Sequence, residues 1–214
     1  MVRKCLFAFF LLCCIESTGA AQELQIHFID VEGGQSTLIV TPSHQSLLVD
    51  AGFASDGRFE STPGDAHKAR DASRIATVAS AAGLKQIDYL LVTHFHGDHD
   101  GVPELAQLIS IRTFVDHGGL DDPGTVAGTV QAFDAYAAVR AKGRHIEVKP
   151  GDQLPLKGVR LTIVSSARKT LPSPLPGAGS RNPRCNSQAI PAQEKAENPR
   201  STGFRHGVAK DLSG

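Results

Sequence analysis

Residues 93–101 read THFHGDHDG and place His94, His96 and His99, three of the chain's nine histidines, around Asp98. Side chains two apart on an extended segment share a side, so His94 and His96 can offer both imidazoles to one cation while Phe95 faces the core. Gly97 lets the backbone turn sharply, which brings Asp98 and His99 alongside at the mouth of the following helix. Imidazole and carboxylate together favour Zn2+, with Fe or Mn also compatible. Two ions, roughly 3.5–4 Å apart, would hold a bridging hydroxide as nucleophile. Asp98 would orient that hydroxide as well as bind, which makes it the catalytic candidate, and the reaction class is hydrolysis. For isolated histidines a solvent-facing role is the simpler reading, and it is the one given to His44, His67, His145 and His206.

Positioning such a cluster needs a rigid strand before it and a helix after it. IDYLLVT, residues 87–93, reads as a short buried strand under a helix, and VPELAQLI, residues 102–109, carries proline and glutamate in its first turn as helix starts do. Upstream, LQIHFID alternates apolar Leu24, Ile26 and Phe28 with polar neighbours, as a strand with one wet face would. STLIVT and SLLVDAG follow as two more strands, joined through PSHQ, so the chain opens on antiparallel strands. Residues 52–67 read as an exposed loop. A helix with Asp71 as N-cap and Gly83 as terminator follows, with Ile75, Val78, Ala79 and Ala82 on one face. RTFVDH and then HIEV and VRLTIV read as strands, with a helix from Val126 to Ala141 between the first two. Strands alternating with helices at this spacing indicate layered α/β architecture.

Residues 1–21 read as a secretory signal peptide: Arg3 and Lys4, an apolar stretch from Cys5 to Ile15, then small residues Gly19, Ala20 and Ala21 at a cleavage site. The expected destination is secreted or periplasmic, and signal removal leaves no membrane segment. Of the four cysteines only Cys185 would remain, which excludes an intramolecular disulfide in the processed chain. Lys plus Arg and Asp plus Glu are 22 each, a balance that supplies no field for a polyanion, so nucleic acid is not indicated as a partner and a small-molecule substrate is. Residues 22–166 form the expected domain. Residues 167–214, rich in Pro, Gly, Ser, Asn, Arg and Lys, read as a loop or disordered tail.

THFHGDHDG resembles the HxHxDH signature of the metallo-β-lactamase superfamily, and FIDVEGGQSTLIVTPSHQSLLVDAG resembles its opening strands, with an aspartate-glycine turn at Asp50 and Gly52. With RTFVDHGG, the whole looks like the secreted branch related to the hydrolase domain of ComEC-type competence proteins. The resemblance implies an αββα sandwich with a dinuclear site on one edge of the two sheets. By position, His94 and His96 match first-metal ligands and Asp98 and His99 second-metal ligands. Asp50 matches a residue that buttresses the ligand loop, and His117 in DHGG sits on the rim of the substrate cleft.

Such a site also needs a bridging aspartate after a strand and a late histidine. ENPRSTGF, residues 197–204, resembles the segment that precedes them, and Asp211 in KDLSG stands where the bridging ligand would. The late histidine has no counterpart. The expected architecture is therefore a complete first half with the second half largely missing, as in a C-terminally truncated chain. The leading functional reading is a secreted metal-dependent hydrolase acting on an ester, phosphodiester, thioester or lactam. The alternatives are a catalytically dead remnant that binds metal weakly or not at all, and a half-fold that covers its open face as a homodimer.

Overall fold

The computed structural model describes residues 23–53, 69–99, 101–120, 128–177 and 202–208. The signal segment, His67, Asp100, Cys185 and Asp211 lie outside them. Among the described residues no helix is long and apolar enough to cross a membrane.

Six strands form one mixed sheet in chain order: β1 (Gln25–Phe28), β2 (Thr37–Val40), β3 (Ser46–Val49), β4 (Gln86–Leu91), β5 (Ser110–Asp116) and β6 (Arg144–Glu147). β1 to β3 run antiparallel through tight connections, and β3 to β6 are parallel. Parallel pairing requires crossovers, and these are the helices α1 (Arg70–Ala81), α2 (Val102–Leu108) and α3 (Thr129–Arg140). Alternation along the central strands divides the core. Leu38, Val40, Leu48 and Leu90 pack with Ala72 and Ile75 of α1, Leu105 of α2 and Tyr136 of α3. Ile39, Leu47, Val49, Tyr89, Leu91 and Val115 face the other way. There they meet Leu154, Val159, Leu161 and Ile163 of a second sheet, formed by β7 (Gln153–Leu154), β8 (Val159–Ser166), β9 (Lys169–Thr170) and β10 (Gly203–Val208). The order of layers is helices, mixed sheet, second sheet.

Three sequence expectations need correction. Asp71 is not the N-cap of α1, which is Ala69; it is a residue of the first turn, and its fully buried carboxylate accepts the backbone N–H groups of Glu32 and Phe53. The region after Ser165 is not all loop. Lys169–Thr170 folds back on β8, and Gly203–Val208 pairs antiparallel with β8 along its other edge. GFRHGV has no apolar alternation to announce a strand; pairing is dictated by β8, whose edge N–H and C=O groups need partners. Lastly, Phe28 is 84% exposed and Ile26 40%, because β1 is an edge strand and only Leu24 of its apolar series reaches the core between the sheets.

Candidate functional site

Three loops converge at one end of the mixed sheet, and their backbones are bonded to one another. Ala51 donates its N–H to His99 O at 3.0 Å, Gly52 to Gln35 O at 3.1 Å, and Gly101 to Gly52 O at 3.1 Å. The first loop, VEGGQ, lies so close to the histidine loop that a Cβ on Gly34, whose φ is +63°, would stand 1.8 Å from Asp98 O. A Cβ on Gly101 would stand 2.6 Å from Ala51 O. Glycines at these positions therefore let the loops approach to backbone contact.

Asp50 stands at the end of β3 with φ 56°, which turns its side chain under the histidine loop. Its carboxylate is buried and accepts Thr93 N–H at 2.7 Å, the Thr93 hydroxyl at 2.8 Å and His99 Nδ1 at 2.9 Å. Burial pushes the Asp50 pKa up, and the hydrogen bonds and charge of His99, with the Thr93 bonds, only partly offset it. Because the Thr93 hydroxyl proton goes to Asp50, the 3.1 Å contact between Thr93 Oγ1 and His94 Nδ1 assigns the ring proton of His94 to Nδ1. The lone pair of His94 is then on Nε2. The same logic puts a proton on His99 Nδ1 and leaves Nε2, 3.7 Å from Asp98 Oδ2, as its other face.

The three imidazoles are neighbours. Ring centroids are 4.9 Å apart for His94 and His96 and 4.2 Å apart for His94 and His99. Burial, with repulsion from His99 and His96, lowers the His94 pKa to about 4, so this ring is neutral at physiological pH. For His99 burial also lowers the value, but the hydrogen bond and charge of Asp50, with the charge of Asp98, reverse the balance and raise it. His96 is buried, and its Nε2 has no hydrogen-bond partner.

His117, directly after β5, is buried, and its ring lies 4.5 Å from that of Phe95. Its neighbour Asp116, which the sequence did not single out, is fully buried. It accepts Gly118 N–H at 2.7 Å, His145 Nε2 at 2.9 Å, Tyr136 OH at 2.6 Å and Arg140 Nη1 at 2.8 Å. His145 thus has a structural partner rather than only solvent. His44 is exposed in the β2–β3 turn, and the side chain of His206 in β10 is outside the described set. Thr93 and Thr202 also belong to the site and were not read from the sequence; the threonine at the strand end, directly before the first histidine, is the only signal the former gave.

The donor chemistry fits a zinc-like ion: His94 and His99 have Nδ1 tied off and Nε2 left over, and His96 Nε2 is buried with no protein hydrogen bond to satisfy it. Among the described residues no three His, Cys, Asp or Glu side chains converge so as to hold a metal ion. A recess of about 370 Å³ between Phe28, Ile29, Arg74 and Val78 lies elsewhere, at the open sheet edge, and brings no comparable chemistry together.

The family model of the metallo-beta-lactamase superfamily matches residues 29–180. Among solved structures, a metallo-beta-lactamase with a HARLDQ motif from Cronobacter sakazakii is similar at 17% identity and TM-score 0.47, covering 86% of this chain and 55% of that one. The Rm3 metallo-beta-lactamase is similar at 20% identity and TM-score 0.45, over 66% of this chain and 49% of that one. An archaeal superfamily protein from Sulfolobus tokodaii is similar at 18% identity and TM-score 0.39, over 67% and 56%. The chain spans about half the length of these structures. No curated protein matches it.

Proposed function

The chain belongs to the metallo-beta-lactamase superfamily, and from that premise we propose that it is a metal-dependent hydrolase whose centre is built on His94, His96, Asp98 and His99. The observation that carries this reading is the preparation of the donors: Thr93 and Asp50 fix the Nδ1 side of two rings, and His96 presents a buried nitrogen with no protein partner. A ligand loop held this way loses little entropy on taking up an ion. Zinc, when bound, supplies Lewis acidity, generating a nucleophile from water near neutral pH and polarising the bond to be cleaved. Asp98, with its side chain 43% exposed beside His99, orients the attacking water. Asp50 keeps His99 in one ring orientation, and burial keeps His94 unprotonated and available as a donor. Asp211 would complete the second ion's shell. The substrate class is an ester, phosphodiester or lactam, and the resemblance to ComEC-type competence proteins together with the leader-like residues 1–21 supports an exported enzyme.

A second reading, a noncatalytic relative, is favoured by one observation: among the described residues no three His, Cys, Asp or Glu side chains converge so as to hold a metal ion. Zinc loading separates the two. After equilibration with micromolar zinc and removal of free metal, the hydrolase reading expects at least about one ion per chain, and the His96→Ala variant should lose it. A wild-type protein that retains no zinc would end the proposal. Turnover of bis(p-nitrophenyl) phosphate, p-nitrophenyl acetate and a chromogenic cephalosporin by the loaded protein would then assign the substrate class.

A further inference from the structure

The segment that returns from the second sheet touches the base of the histidine loop at one residue. Thr202 donates its backbone N–H to Thr93 O at 2.8 Å. It is 2% exposed, and the next residue, Gly203, donates its N–H to Ser165 Oγ at 2.9 Å. The approach there is close: a Cβ on Gly203 would stand 2.6 Å from Ser165 Oγ, and the β10–β8 register shifts between Gly203 and Phe204. Two consecutive residues therefore stitch the end of β8 to the end of β4.

The acceptor is what gives this contact its meaning. Thr93 lies just past the end of β4, and its N–H and hydroxyl already go to Asp50 while Oγ1 receives His94 Nδ1. Its carbonyl shares a planar peptide unit with the nitrogen of His94, so fixing the direction of Thr93 O fixes the plane from which the His94 side chain starts. Asp50 holds one side of that junction and Thr202 the other. We propose that Thr202 is a positioning residue of the histidine site: its backbone N–H, acting through the Thr93–His94 peptide, sets His94 for the metal. The inference rests on the metal-centre reading above and adds a residue from the far end of the chain to it. The Thr202 hydroxyl takes no part, being buried without a hydrogen-bond partner.

The test separates donor from side chain. Thr202→Pro removes the N–H while keeping extended backbone, and Thr202→Ala keeps the N–H while removing the hydroxyl. Zinc affinity, measured by competition with a chromophoric chelator, is expected to fall at least about tenfold in T202P, the range for residues that orient ligands. T202A should stay within about twofold of wild type. T202A should melt close to wild type, whereas T202P leaves Thr93 O without its buried donor and should melt lower, so its affinity is read at a temperature where it is still folded. Amide exchange of Thr202 in the wild-type protein provides a second readout that needs no variant to fold. Because coupling is reciprocal, zinc should slow that exchange. Wild-type affinity in a folded T202P, or the same Thr202 exchange rate with and without zinc, overturns the inference while leaving the metal-centre reading intact. No zinc uptake by the wild-type chain removes both.

Discussion

Thr93 gives Asp50 two hydrogen bonds at once, from its backbone N–H at 2.7 Å and its hydroxyl at 2.8 Å, so one buried carboxylate locks both the backbone and the side chain of the residue that precedes His94. The same carboxylate holds His99 Nδ1 at 2.9 Å. Two imidazoles from opposite ends of the loop are thereby referred to a single fixed point.

Asp50→Asn tests that lock. Asparagine tolerates the positive φ of 56° at this position, so the backbone should survive the exchange. One carboxylate oxygen becomes an NH2, which faces a donor instead of accepting from it. Stability should fall by about 1–3 kcal/mol in urea denaturation. Zinc affinity should fall by about 10–100-fold, as for partners that orient ligands. Unchanged zinc affinity in a folded D50N protein would show that the Asp50 lock does not serve the site.

Gly34→Ala should uncouple the first loop from the histidine loop. The new Cβ would meet Asp98 O at 1.8 Å, a backbone atom that cannot rotate away, and the φ of +63° adds strain. A loss of about 1–3 kcal/mol is expected, with weakened zinc binding as Asp98 moves. Gly83→Ala is the control: its φ is +75° but nothing lies within 4 Å, so only the strain of about 1 kcal/mol applies and zinc binding should not change. Equal effects on metal affinity from the two variants would contradict the contact.

In the metal-free protein, acid should act on the site through His94. Its folded pKa is about 4 against an ordinary 6.5, chiefly because burial disfavours the charged ring. Between those values the unfolded chain takes up a proton that the folded chain refuses, so this residue's contribution is present above pH 6.5 and is lost as pH falls through about 4. His99, whose pKa is raised, works in the opposite sense: its contribution is present below its unfolded pKa and fades as pH rises through the folded value. Site-resolved histidine NMR distinguishes the two. A His94 midpoint near 6.5 would contradict the burial argument, and His94→Gln should flatten the loss of stability below pH 6.5.

The sequence made these residues legible to different degrees, for physical reasons. His94, His96, Asp98 and His99 stood out because the proposed metal site would demand short, regular spacing of its donors, and Asp50 because its aspartate-glycine turn resembles that of the superfamily. The mixed sheet was readable where burial on both faces forces apolar runs, as in β2, β3 and β4. Thr202 was not readable, because its part is played by a backbone N–H that any residue except proline carries. Asp71 looked like a cap because caps and buried loop anchors use the same side chain; only tertiary structure shows which N–H groups it reaches. β10 was missed because its pairing comes from the edge of β8 and leaves no pattern in GFRHGV.

Asp116 shows a similar limit, since its four donors come from residues 2, 20, 24 and 29 positions later in the chain. Arg140 lies 2.8 Å from it with its side chain 17% exposed. Burial would lower the Arg140 pKa, but Asp116 more than compensates and raises it, so among the described residues Asp116 is the carboxylate that supports the guanidinium's charge. Removing that charge while the cation stays should be costly: Asp116→Asn is expected to lose about 3 kcal/mol by urea denaturation at pH 7. Arg140→Met should lose less, because Tyr136, His145 and Gly118 still donate to the carboxylate, and what is given up besides the ion pair is only the guanidinium's position over the rings of Phe133 and Tyr136. His117 adjoins Asp116 in sequence, and its ring rests on Phe95. D116N should therefore also shift the His117 ring resonances, while R140M leaves them close to wild type. The reverse order of stabilities would mean that the cation, rather than the carboxylate, organises this end of β5.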